Sequence, residues 1–191
     1  MDVALVVPVK SFAAAKGRLA GVLDADARAA LARRCAEQVV ASGAPWSVYV
    51  VCDDDATRSW AESVGASPVQ QDSPGLNAAV ACGIAAARRD GAAHVVVSHA
   101  DLPLATTFSH LVHRGEIVLV PDRHRDGTNV LSMPADARFG FCYGPGSLAA
   151  HVAAAAATGL PHRIVEDVQL GLDLDTLDDL DELDRRRTTT P

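Results

Sequence analysis

Two runs constrain this chain more than any other feature. Val3–Val9 (VALVVPV) and His94–Ser98 (HVVVS) are near-continuous apolar segments of strand length, without the polar alternation of a half-exposed strand. A strand of that kind needs cover on both faces, which parallel sheets obtain from crossover helices. Alanine-rich helical stretches stand between the runs. Aromatics are 4% of 191 residues and apolar residues 49%, so the core is built from Val, Leu, Ile and Ala. The expected class is α/β: one domain over residues 1–187, a mostly parallel sheet with helices on both faces, and a disordered tail at 188–191.

The expected order is strand Val3–Val9, loop Lys10–Arg18, helix Asp24–Ser42, strand Val48–Cys52, helix Ala56–Val64 and an extended piece Pro68–Gln70. A loop at Asp72–Gly75, helix Asn77–Arg89, strand His94–Ser98 and helix Thr106–Arg114 follow. Strands Ile117–Val120 and Asn129–Met133, helix Pro145–Thr158, a strand near Arg163–Val165 and a helix from Thr176 complete the chain. Ligands of such sheets bind beyond the carboxyl ends of the strands. That rule selects the loops after Val9, after Ser98 and after Asn129–Met133.

The net charge of −7 disfavours nucleic acid and anionic membranes as partners, and Arg185–Arg187 reads as a solvated helix end. The four cysteines form no CxxC pair, which suggests neither zinc nor redox chemistry. No signal peptide and no bilayer-spanning stretch is recognisable, so a cytoplasmic protein is expected. Nothing in the sequence bears on oligomeric state.

Lys10 and Lys16 are the only lysines, and Arg18 is close by. Three cations after the first strand of an acidic chain make a local anion site, most simply for a polyphosphate. The loop carries neither GxxxxGK[ST] nor GxGxxG, which speaks against a P-loop and a dinucleotide fold. Asp101 lies just past a buried strand, where its carboxylate reaches the ligand edge or caps a helix. Leu172-Asp173-Leu174-Asp175 alternates, so in extended form both carboxylates face one side. Gathering carboxylates is unfavourable without a cation, and magnesium prefers a few carboxylates plus substrate phosphate oxygens. Asp175 has an alternative role as a cap; Asp173 does not.

Gly75 and Asn77 open a helix with small residues that let a flat base approach, or simply a helix packed on the sheet. Thr128, Gly144 and Ser147 supply hydroxyls and backbone N–H groups at loop and helix starts, where turns favour the same residues. His99 lies beside Asp101 and could brace it. His151 lies one turn past Ser147. Each reads more simply as a satisfied surface or edge histidine.

Taken in order, Pro8-Val9-Lys10, Lys16-Gly17-Arg18-Leu19, Gly75-Leu76-Asn77-Ala78-Ala79, Asp101-Leu102-Pro103, Gly127-Thr128-Asn129, Gly144-Pro145-Gly146-Ser147 and Asp173-Leu174-Asp175-Thr176 resemble the 2-phospho-L-lactate guanylyltransferase family of deazaflavin coenzyme F-420 biosynthesis. The resemblance implies a single-domain nucleotide-diphospho-sugar-transferase-like (Rossmann-like) fold, GTP as donor and a three-carbon phosphorylated carboxylate as acceptor. It puts magnesium on Asp101, Asp173 and Asp175, GTP on Lys10, Lys16, Arg18, Gly75 and Asn77, and the acceptor on Thr128, Gly144 and Ser147. Lys16 and Asp101 are the implied catalytic pair.

Phosphoenolpyruvate is the expected acceptor, with 2-phospho-L-lactate and 3-phosphoglycerate as alternatives, and a downstream deazaflavin transferase as functional partner. Tyr143, where members usually carry phenylalanine, and the bland Ala13–Ala15 run depart from the family pattern. A non-catalytic nucleotide-binding module is the rival from another class.

Overall fold

The computed structural model describes residues 2–189. Seven strands form one sheet in the order β3-β2-β1-β4-β6-β5-β7. They are β1 Val3–Pro8, β2 Ser47–Cys52, β3 Ser67–Gln70, β4 His94–Ser98, β5 Ile117–Pro121, β6 Thr128–Pro134 and β7 His162–Ile164. The helices are α1 Ala25–Ser42, α2 Asp55–Ser63, α3 Leu76–Arg89, α4 Ser147–Ala157 and α5 Leu177–Thr189. The expected α/β sandwich of helices around a mostly parallel sheet is what forms.

The apolar runs are buried on both faces for the reason the sequence suggested. In β1, Leu5 and Val7 pack with Ala36 and Val39 of α1 and Trp60 of α2, whereas Ala4 and Val6 pack with Val80 and Ile84 of α3. The same alternation divides Val95 and Val97 from Val96 in β4. Helix entries are capped by short acids: Asp24 accepts the N–H of Ala27, and Asp54 that of Thr57.

α3 lies close enough to the sheet to need a glycine. A Cβ on Gly83 would stand 2.4 Å from Val6 Cγ1 and 2.7 Å from Val51 Cγ2. Gly83→Ala gains roughly 1 kcal/mol of helix propensity but overpacks two buried valines, at about 1–3 kcal/mol or more. The steric effect should win, and urea unfolding should show a net loss of stability. A midpoint equal to or above that of the wild type would refute the close approach.

Three expectations need correction. Thr106–Arg114 is not a helix; it contains only a 3-10 turn at Ser109–Leu111. A helix would need the Ala105 carbonyl to accept the Ser109 N–H. Instead that carbonyl accepts from Gln38 Nε2 (2.6 Å) and Ser42 Oγ (2.8 Å) of α1, and the Ser109 N–H turns to Thr107 Oγ1. Tertiary partners have taken the helical acceptor.

The second correction concerns direction. β6 runs antiparallel to both β4 and β5, so its first residue, not the loop after Met133, stands at the carboxyl edge of the sheet. The β5–β6 connection is too short for a parallel crossover. The Asp122 carboxylate tightens it by accepting the N–H groups of His124, Asp126 and Gly127.

Third, α5 continues through Thr188 and Thr189, into the stretch expected to be tail; residues 190–191 lie outside the described residues. Among the described residues no helix is long and apolar enough to cross a membrane.

Candidate active site

The loop after β1 ends in a tight turn at Lys16, whose backbone is left-handed (φ +56°). That turn sends the side chain inward, and only 6% of it remains exposed. Its ammonium donates to Asp101 Oδ2 at 2.6 Å and to Asp175 Oδ1 at 3.0 Å. Asp101 follows β4. Asp175 arrives on the segment Leu172–Asp175, whose leucines are buried with Cys35 and Leu183 and whose Leu174 N–H donates to the Asp101 carbonyl. The leucine–aspartate alternation thus turns the leucines into the core and leaves the carboxylates outside it, Asp175 on Lys16 and Asp173 on Asn129.

Asp173 is held from the other side, where Asn129 Nδ2 donates to its Oδ1 at 3.3 Å and to the Leu170 carbonyl at 3.0 Å. Burial raises its pKa above the usual carboxylate range, and the charge of Asp101 adds to the shift. For Asp101, burial is the largest single influence and acts in the same direction, but the Lys16 charge and hydrogen bond, His99 and a backbone hydrogen bond together exceed it and the net pKa is lowered. Burial alone would lower the Lys16 pKa; Asp101 and then Asp175 reverse this and raise it.

The other expected residues are distributed unevenly. Lys10 is exposed and has no ion-pair partner among the described residues. Arg18 is 76% exposed and only approaches Asp175 Oδ2, at 3.9 Å. Gly75 is left-handed (φ +104°) with open space beside its backbone, as a close-approach site requires. Asn77 Oδ1 accepts the Tyr143 N–H at 2.8 Å, tying the start of α3 to the loop that precedes α4. Gly144 is exposed on that loop, whereas Thr128 and Ser147 are buried beneath it.

Three supporting residues escaped the sequence reading. Asn129 holds Asp173. Asp126 accepts the Gly146 N–H on its carboxylate and the Leu148 N–H on its carbonyl. His151, expected at a surface or edge, is fully buried and bonded at both ring nitrogens. His99 is partly buried beside Asp101, and its Nε2 has no partner.

With this geometry in place, relatives can be compared. The profile of the family described as "Guanylyl transferase CofC like" matches residues 3–185. The chain belongs to that family. A phosphoenolpyruvate guanylyltransferase from Rubrobacter xylanophilus is 38% identical over 193 residues, covering 96% of this chain and 94% of its own. A 3-phospho-D-glycerate guanylyltransferase from Phenylobacterium zucineum is 32% identical over 193 residues, covering 94% of this chain and 88% of its own. A chain from Desulfovibrio desulfuricans, assigned as a nucleotide-diphospho-sugar transferase, superposes with a TM-score of 0.79 at 17% identity, over 100% of this chain and 90% of that one, which fixes the fold type.

In this CofC-like chain the carboxylates fit a divalent cation. Asp101 Oδ1 is buried with no hydrogen-bond partner, and Asp173 is half-buried with its charge incompletely neutralised. A second acidic group does not compete. His124, Asp178 and Asp179 are the one set of three among the described residues whose ligand atoms all lie within 4.8 Å of one another. There the Arg123 guanidinium already pairs with both carboxylates. Asp101, Asp173 and Asp175 do not meet that distance together, and the Lys16 ammonium stands between the first and the last.

Proposed function

We propose that the protein is a guanylyltransferase that moves GMP from GTP to phosphoenolpyruvate and releases pyrophosphate, as a cytoplasmic step of deazaflavin coenzyme F-420 biosynthesis. The observation that carries the reading is the buried Lys16 ammonium bridging Asp101 and Asp175 at the sheet's ligand edge. It sets a fixed cation beside a set of carboxylates, the combination that transfer between phosphates requires.

An acceptor phosphate oxygen attacks the α-phosphorus in line. A new P–O bond forms as the bond from that phosphorus to the α,β-bridging oxygen breaks, and pyrophosphate leaves with the electron pair. Asp101, Asp173 and Asp175 would hold magnesium, which supplies positive charge to phosphate oxygens. Lys16 binds and neutralises the triphosphate, with Lys10 and Arg18 available at the exposed rim. Gly75 and Asn77 border the nucleotide; Thr128, Gly144 and Ser147 orient the acceptor. The attacking phosphate is already ionised at neutral pH, so no side chain needs to remove a proton.

The relative named for 3-phospho-D-glycerate makes that acid the second acceptor to consider. Pyrophosphate release should be measured with GTP and magnesium against phosphoenolpyruvate, 2-phospho-L-lactate and 3-phosphoglycerate in parallel, with a deazaflavin transferase present to trap a labile product. Release with phosphoenolpyruvate at least about tenfold above the others is expected. A preference for another acid would move the assignment to it, and no release with any would refute guanylyl transfer.

A further inference from the structure

A largely buried polar network outside the carboxylates centres on His151 of α4, one turn after Ser147. Its Nε2 accepts the Cys142 N–H at 2.9 Å, and its Nδ1 lies 3.0 Å from Thr128 Oγ1. A backbone amide only donates, so Nε2 carries the lone pair. The neutral ring then carries its proton on Nδ1 and donates it to Thr128. Burial, with a smaller contribution from His99, lowers the His151 pKa to about 4, in keeping with a neutral ring at physiological pH. Because Thr128 Oγ1 accepts from His151, its own hydroxyl proton remains available for another acceptor.

The same imidazole fixes the loop that covers Thr128. The Tyr143 ring packs edge-on against it, with centroids 4.6 Å apart. The loop has two other anchors, Tyr143 N–H on Asn77 and Gly146 N–H on Asp126. Neither reaches Thr128. His151 therefore joins the two halves of the proposed acceptor subsite, the start of β6 and the Cys142–Ser147 loop. Two buried polar atoms beside this network, Tyr143 Oη and His99 Nε2, have no protein partner. A phenylalanine would fill the space of the imidazole, so packing alone does not call for histidine.

We propose that His151 is the positioning residue of the acceptor subsite, coupling Thr128 to the Cys142–Ser147 loop and leaving the Thr128 hydroxyl proton free for an acceptor oxygen. This rests on the guanylyl-transfer reading above. The test is a steady-state comparison of wild type, His151→Phe and His151→Asn, varying GTP and acceptor separately. His151→Phe should raise the acceptor KM by about tenfold or more while leaving the GTP KM within about twofold. Asparagine places an N–H near the former Nδ1 and should recover most of the acceptor KM.

Nitrogen NMR of the wild-type ring at about pH 7.5 should show the Nδ1–H tautomer, and this readout holds even if the phenylalanine variant fails to fold. Equal rises in both KM values, an unchanged acceptor KM, no recovery with asparagine, or an Nε2–H or doubly protonated ring would each overturn the proposal. A wild type silent with every acceptor would refute guanylyl transfer and this proposal together. An active wild type beside an unaffected His151→Phe would sink the proposal alone.

Discussion

Lys16→Met should abolish useful turnover and at the same time strengthen the response of the protein to magnesium. The two effects have one cause. The ammonium is the fixed positive charge between Asp101 and Asp175, so its removal takes away a charge complementary to the triphosphate in the transition state. Loss of one such preorganised donor lowers kcat by roughly 10²–10³-fold. Its removal also leaves two carboxylates facing each other without a cation.

In a dry interior, breaking such a pair would cost about 3–5 kcal/mol. Here Asp101 and Asp175 are 23% and 45% exposed, so water relieves part of it and a smaller loss is expected. Added magnesium then takes the vacated position without displacing a bound ammonium. The thermal shift produced by magnesium should therefore be larger in Lys16→Met than in wild type. A near-normal kcat in the variant would show that Lys16 does not serve the triphosphate, and a magnesium response no larger than that of wild type would show that it does not compete with the metal.

Much of this fold was legible because its strands are buried on both faces. A continuous valine run has few alternatives once alanine-rich helices flank it. The reversal of β6 was not legible, since Asn129–Met133 has the same composition read in either direction and only the pairing partner fixes the sense. The supposed helix at Thr106–Arg114 failed for a related reason. Its carbonyl acceptor is captured by Gln38 and Ser42, more than sixty positions away in sequence.

The site divides along the same line. Asp173 and Asp175 announced themselves by alternation with leucine, and Lys16 by the scarcity of lysine. Asn129 and His151 did not, because an asparagine at a strand start and a histidine in an alanine helix are ordinary locally. Their roles exist only through the partners Asp173, Thr128 and Cys142. Acids and cations with a shared charge problem can be read from a sequence; the polar residues that orient them depend on contacts made after folding.

Asp101→Asn and Asp173→Asn should both be inactive, yet should change stability in opposite directions. The difference follows from which protonation state the fold favours. Lys16 lowers the Asp101 pKa, so the folded protein favours the carboxylate over its unfolded counterpart. That contribution is present at neutral pH and is lost as pH falls through the lowered value. Asparagine at 101 removes it and strands the Lys16 ammonium, so the folded state should lose stability.

Burial, reinforced by Asp101, raises the Asp173 pKa, so the fold opposes its charge at neutral pH. Asparagine at 173 removes that charge, keeps the shape and still offers an oxygen to Asn129 Nδ2. Metal-free Asp173→Asn should therefore be more stable than wild type, by on the order of 1 kcal/mol. Urea unfolding of both variants at neutral pH in the presence of a chelator, alongside pyrophosphate release with magnesium, measures the pair. Destabilisation by both substitutions would mean that Asp173 is a structural anchor of the Leu172–Asp175 segment. Stabilisation at 173 with loss of turnover is what a carboxylate held in an unfavourable place for the sake of a metal ion would give.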